Sequence, residues 1–172
     1  TEKTYAEWQW HFGLGSFDEL EANHERRMYR QNKSCMITDF PEFTSPFWNM
    51  SRHENADTSK KIDVILGGME TIGSAERSTD VDMMRDTFHT ITGGEYSQLL
   101  YKLFGKERVE AELEEFLKFD FFPRVGGGIG MTRMIRALDT LVNPEYKRPV
   151  PTGEYKDPGE VLVIDGKHVV AH

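Results

Sequence analysis

The sequence predicts an α+β domain over residues 1–142, followed by an extended tail over residues 143–172. Three observations predict it. Ile62-Asp-Val-Ile-Leu66 and the run from Met69 onward read as strands, joined by Gly67-Gly68 as a two-residue hairpin turn. Cys35-Met-Ile-Thr-Asp-Phe40 reads as another strand, which Pro41 ends. From residue 80 to residue 119 the apolar residues fall at helical spacing instead. The clearest stripe is Val109, Leu113, Phe116 and Leu117 at i, i+4, i+7 and i+8.

Residues 4–12 mix Tyr5, Trp8, Trp10 and Phe12 with charges and fit either a short helix or an edge strand. After Gly13 and Gly15, Ser16 with Glu19 three residues on makes a capping box for a helix running to about Asn32. Glu19, Glu21 and Glu25 precede Arg26, Arg27 and Arg30 on that helix. This order suits the helix dipole and reads as a solvated face. Pro46-Phe-Trp-Asn-Met50 reads as a strand and the polar residues 51–61 as a loop. Helices are expected at about 80–91, capped by Thr79 or Asp80, and at about 95–104 and 106–119. A further helix follows Gly130, with Met131, Met134, Ile135, Leu138 and Leu141 as its apolar positions, and Asn143-Pro144 stops it. In the tail, Val161–Ile164 and His168–Val170 flank Asp165-Gly166 as a small hairpin.

Composition narrows the function classes. Hydrophobic content of 38% with 12% aromatics in 172 residues is ordinary for one globular domain. The formal net charge of -8 argues against broad binding to nucleic acid or anionic membranes and favours a small-molecule substrate. A single cysteine, Cys35, excludes an internal disulfide framework and any zinc site of several thiolates. With no apolar run of membrane-spanning length and no signal sequence at its start, the chain is expected to be cytoplasmic. The six histidines show no metal-ligand spacing, and no nucleophile elbow is present.

The chemistry concentrates in Gly126-Gly-Gly-Ile-Gly-Met-Thr-Arg133. Alternate glycines at 126, 128 and 130 let a strand lie flat beneath a large planar group, because a Cβ would occupy the ligand's space. Arg133, one turn into the next helix, is placed to stack on an aromatic base or to pair with phosphate oxygens. A phosphate loop would end in Gly-Lys-Ser/Thr, and a dinucleotide fingerprint needs a small residue where Met131 or Arg133 stands. The plain alternative is a glycine-rich turn between strand and helix. Asp63 and Glu70 form the acidic pair that matters most. With Gly67-Gly68 as the turn, Ile65 pairs with Glu70, which sets Glu70 diagonally across from Asp63 on one face. They either share Mg²⁺ bridging ATP phosphates or are ordinary strand acids.

Pro123-Arg-Val-Gly-Gly-Gly-Ile-Gly-Met-Thr-Arg133 resembles motif 3 of the class II aminoacyl-tRNA synthetases. The Gly-Gly-Gly-Ile-Gly core is similar to that of asparagine synthetase A and the archaeal asparagine synthetases, which share that fold. Asp39-Phe-Pro41 followed by Pro46-Phe47-Trp48 resembles a segment of the aspartyl- and asparaginyl-tRNA synthetases. Glu70 and Arg77, seven residues apart, also occur there at that separation, and archaeal-type aspartyl enzymes carry an aspartate where Asp63 stands. The resemblance implies a mainly antiparallel sheet flanked by helices, with ATP on Gly126, Gly128, Gly130, Arg133 and Glu70. It implies Mg²⁺ on Asp63 and Glu70 and the amino-acid side chain on Arg77, with Gly73, Ser74 and Arg124 also lining the substrate. Strict alternation would turn Arg77 away from Glu70, so a bulge near Gly73-Ser74 is expected.

The implied reaction is adenylation of aspartate by ATP and transfer to ammonia, giving asparagine, with Glu70, Arg77 and Arg133 as the catalytic set. The alternatives are a core fragment of an asparaginyl- or aspartyl-tRNA ligase, with tRNA the less favoured partner, and a silent nucleotide-binding paralogue. Motifs 1 and 2 are not found in the sequence. The expected assembly is therefore a homodimer or a complex with a chain carrying them, and no membrane partner is expected.

Overall fold

A computed structural model of the chain describes residues 1–54, 57–142, 162–164 and 167–169. Five strands lie side by side in chain order: β1 (Glu2–Thr4), β2 (Ser34–Pro41), β3 (Thr58–Leu66), β4 (Met69–Arg77) and β5 (Arg124–Ile129). β1 runs parallel to β2 and every other pairing is antiparallel, so the sheet is mixed and mainly antiparallel, as expected. Among the described residues six α-helices flank it: α1 (Tyr5–Phe12), α2 (Ala22–Asn32), α3 (Val81–Thr90), α4 (Glu95–Phe104), α5 (Lys106–Leu117) and α6 (Met131–Val142). In the tail, β6 (Leu162–Ile164) and β7 (Lys167–Val169) pair antiparallel, close to the hairpin expected there. The remainder of the tail lies outside the described residues.

Residues 5–12 adopt the helical alternative because Thr4 caps them. Its Oγ1 accepts from the Glu7 N–H at 3.2 Å while Glu7 Oε2 accepts from the Thr4 N–H at 2.8 Å. The box expected at Ser16 and Glu19 does not form. Asp18 instead takes the Gly15 N–H at 2.7 Å, and Gln9 Nε2 donates to the carbonyls of Gly15, Ser16 and Asp18. Those bonds fix a turn, and α2 starts only at Ala22, where His24 Nδ1 accepts from the Glu21 N–H at 2.9 Å. The helical face read as solvated is also interrupted, since Glu25 is half-buried against β4.

Two apolar clusters hold these elements. Trp8 and Tyr5 of α1 and Met28 of α2 cover Cys35, Ile37 and Phe40 of β2 and Ile65 of β3. The second gathers α3, α4 and α5 around Trp48, whose ring meets Phe88 and Phe116 edge-on at 5.4 and 5.6 Å. That use of Trp48 overturns the strand expected over 46–50. The segment is a turn that places Phe47 and Trp48 among helices, and only Met50 makes a β-bridge, to Arg77. The expected loop is also shorter, because β3 begins at Thr58 with Ser59 fully buried.

Candidate active site

The β3–β4 hairpin sets the geometry of the site. Gly67 and Gly68 take left-handed φ of 61° and 80°, the pair of positive values a tight two-residue hairpin needs, and Leu66 pairs with Met69 and Ile65 with Glu70. The register then shifts: Val64 pairs with Ile72 and Asp63 with Gly73, leaving Thr71 as the extra residue of a bulge. The bulge expected near Gly73-Ser74 is therefore present but lies closer to the turn. It has the anticipated effect, bringing Glu70, Gly73, Ala75 and Arg77 to one face.

On that face the carboxylates of Asp63 and Glu70 converge over Gly73. A Cβ there would stand 2.8 Å from Glu70 Oε1 and 3.4 Å from Asp63 Oδ1. Gly73 thus makes room for the two acids and offers no side chain to a ligand. Ser74 turns to the opposite face, where its hydroxyl donates to the Ile62 carbonyl at 3.5 Å, so it does not join the group. Asp63 is buried, its Oδ2 ion-paired to Lys61 Nζ at 2.6 Å while its Oδ1 has no hydrogen-bond partner. Burial, opposed by Lys61 and reinforced by the charges of Glu70 and Glu25, raises the Asp63 carboxyl to about 6.

β5 pairs along the far edge of β4, with Gly128 opposite Gly73, Gly126 opposite Ala75 and Arg124 opposite Arg77. The three glycines do different things. Nothing lies within 4 Å of a Cβ built on Gly128, which leaves a bare floor beside the acids. At Gly126 the same atom would stand 2.8 Å from Arg77 Nε, so the missing side chain lets that guanidinium lie across the strand. Gly130 underlies the aliphatic stem of Arg133 and donates its N–H to the Thr71 carbonyl at 2.8 Å. Arg133, in the first turn of α6, donates to the Glu70 carbonyl at 3.0 Å and lies 3.7 Å from Glu70 Oε2. Together Glu70, Thr71, Gly73, Gly128, Ile129, Gly130 and Arg133 line a cleft of about 340 Å³.

Arg77 donates to Asn49 Oδ1 at 3.2 Å, and Arg124 donates to the carbonyls of Ser78 and Phe122 while lying over the Phe121 ring at 4.6 Å. Burial and then the nearby Arg124 charge lower the Arg77 value from its ordinary one. Sequence reasoning missed Asn49, Lys61 and Glu25. Asn49 at least sits in the Pro46-Phe-Trp-Asn run, whereas a mid-helix glutamate carries no local signal of an inward role. Among the described residues no three His, Cys, Asp or Glu side chains form a metal-ligand group, and no helix is long and apolar enough to cross a membrane.

A glycine floor, two converging acids and a helix-borne arginine on a mainly antiparallel sheet define a class of protein. Residues 4–143 match the family described as tRNA synthetases class II (D, K and N), and the protein belongs to it. It is similar to the cytoplasmic aspartate–tRNA ligases of Homo sapiens and Bos taurus, each 25% identical over 127 residues. That match takes in 70% of this chain and 23% of each relative, so the chain spans about a quarter of the length of the curated relatives it matches. Among solved structures, asparaginyl-tRNA synthetase from Entamoeba histolytica in complex with asparaginyl-adenylate superposes with a TM-score of 0.62 at 18% identity. It covers 80% of this chain and 32% of that one. Asparaginyl-tRNA synthetase from Pyrococcus horikoshii gives 0.61 at 19%, covering 81% and 32%.

Proposed function

We propose that the protein is an ATP-dependent ligase that adenylates aspartate and transfers the aspartyl group to ammonia, forming asparagine. The observation that carries this reading is the Arg77–Arg124 pair. Two guanidiniums stand as cross-strand neighbours on the face that bears Asp63, Glu70 and the glycine floor, and among the described residues their hydrogen bonds go to neutral oxygens. Such a pair suits a carboxylate far better than an amide, because each fork gains a charge-assisted bond only from an anion. Aspartate bound through one carboxylate presents the other to the nucleotide.

In this reading the adenine and ribose lie over Gly128, and Arg133 stacks on the base or meets phosphate oxygens. The aspartate carboxylate oxygen bonds to the α-phosphorus as the bond to the pyrophosphate oxygen breaks. Ammonia then attacks the acyl carbon, AMP leaves with the bonding pair, and a proton is lost from nitrogen. Magnesium fits the residues present: the unpartnered Asp63 Oδ1 and the Glu70 carboxylate are hard oxygen ligands facing one space, and phosphate oxygens and water complete the set magnesium prefers. When bound there it supplies charge neutralisation at the phosphates. The grip on the α-phosphate we assign to residues outside this chain or to a partner chain, since motif 2 is not found in the sequence.

A second reading, an aspartyl- or asparaginyl-tRNA ligase core, shares the first half-reaction and draws on the likeness to aspartate–tRNA ligases. The net charge of -8 favours the small acceptor. Exchange of labelled pyrophosphate into ATP tests adenylation in either case. The expected result is exchange with aspartate that exceeds exchange with asparagine, with Arg124→Gln narrowing the difference. Equal exchange with the two amino acids, unchanged in Arg124→Gln, counts against the carboxylate reading.

A further inference from the structure

Glu70 keeps the partner that the hairpin turn gives it, Ile65, so its own N–H and carbonyl point away from β3, and Thr71 follows as the extra residue of the bulge. The Thr71 carbonyl accepts from the Gly130 N–H and the Glu70 carbonyl from Arg133. Thr71, almost fully buried, donates its hydroxyl to the carbonyls of Leu66 and Met69 at 3.3 and 3.1 Å. The Glu70 N–H is met from far away in the chain, by Glu25 Oε2 of α2 at 3.0 Å. An N–H shielded from water and left without an acceptor is costly, so a carboxylate brought in by a packed helix ties Glu70 and the start of β4 to α2.

We propose that Glu25 is a positioning residue of the site: by accepting the Glu70 N–H it anchors the Glu70 backbone to α2 and so fixes where the Glu70 carboxylate meets Asp63 over Gly73. Its link to nucleotide chemistry rests on the proposed function, whereas its hold on the Glu70 backbone does not. Its position supports the assignment. Glu25 is half-buried beside Glu70 and Arg133, and burial with the Glu70 charge raises its carboxyl, countered by the hydrogen bond and by Arg133. A surface glutamate of a solvated helix face would feel neither.

The test compares Glu25→Ala with Glu25→Gln, since a glutamine amide oxygen still accepts from an N–H and an alanine cannot. The first readout is hydrogen exchange at the Glu70 amide by nitrogen-15 NMR, with no nucleotide present. Exchange in Glu25→Ala is expected to rise roughly tenfold or more, the loss of one bond to a charged acceptor, with Glu25→Gln near wild type. The second readout is KM against kcat for ATP and Mg²⁺. KM is expected to rise in Glu25→Ala with a smaller change in kcat, and glutamine is expected to restore it. Unchanged Glu70 protection in Glu25→Ala would overturn the assignment, as would glutamine failing to restore it. Changed protection with no adenylation by any variant would leave the anchoring of Glu70 standing and count against the proposed function. If Glu25→Ala does not fold, Glu25→Gln carries the test alone: wild-type exchange at Glu70 supports the hydrogen bond, and raised exchange refutes it.

Discussion

Gly128 and Gly126 face the same side of β5, yet one opens onto empty space and the other onto Arg77. Gly128→Ala therefore meets no protein atom. Its stability is expected to stay within about 0.5 kcal/mol of wild type in urea titration, while the KM for ATP rises several-fold as the methyl takes the floor. Gly126→Ala is expected to raise the KM for aspartate instead, because the new methyl displaces a flexible guanidinium and leaves the strand in place. Asp63 makes a pH prediction whose sign follows from its raised value. The folded protein keeps a proton on Asp63 up to about 6, while the unfolded chain releases it at the ordinary value of 3.8. Stability from this group is thus full below the ordinary value and is lost as pH rises through about 6, and Asp63→Asn is expected to flatten that part of the urea-midpoint profile. Asp63, Glu70, Arg77 and the glycines were legible in the sequence because fixed spacings on three adjacent strands bring them together. Glu25 and Asn49 were not, because each arrives from another segment and only tertiary packing aims it.

The elements show what local pattern decides and what packing decides. The Gly67-Gly68 turn fixed the pairs Leu66–Met69 and Ile65–Glu70 in advance, because a two-residue turn leaves no freedom in register. The bulge was foreseen from the faces of Glu70 and Arg77 but placed too far along: strand alternation calls for one extra residue between them without saying which, and it is Thr71. Charged residues hid the start of β3: Lys60 and Lys61 read as loop, yet Lys60 pairs with Glu76 at 2.9 Å and Lys61 covers Asp63 and the Phe40 ring. Pro46–Met50 misled in the other direction. Its apolar run resembles a strand, but Trp48 is the plug of the helical cluster, packed between α3 and α5. Trp48→Ala is accordingly expected to cost about 3–5 kcal/mol in urea denaturation, with Trp48→Phe costing less.

At the scale of the whole molecule, a sheet with one helix-covered end and one glycine-floored end separates stability from chemistry. Trp8 of α1 and Met28 of α2 pack with Ile65 of β3, while β4 and β5 keep the face beyond them clear for a ligand. The chain covers about a quarter of the length of its curated relatives, and the proposal of ammonia as acceptor draws on the site's chemistry and on the acidic balance of the sequence. The measurement that reaches this directly is AMP release from ATP and Mg²⁺ with aspartate, run with and without ammonium, beside a parallel reaction holding asparagine and tRNA. AMP that depends on both aspartate and ammonium, accompanied by asparagine and abolished by Glu70→Ala and by Arg133→Ala, is the predicted result. AMP that appears only with tRNA, or none under any condition, would contradict it.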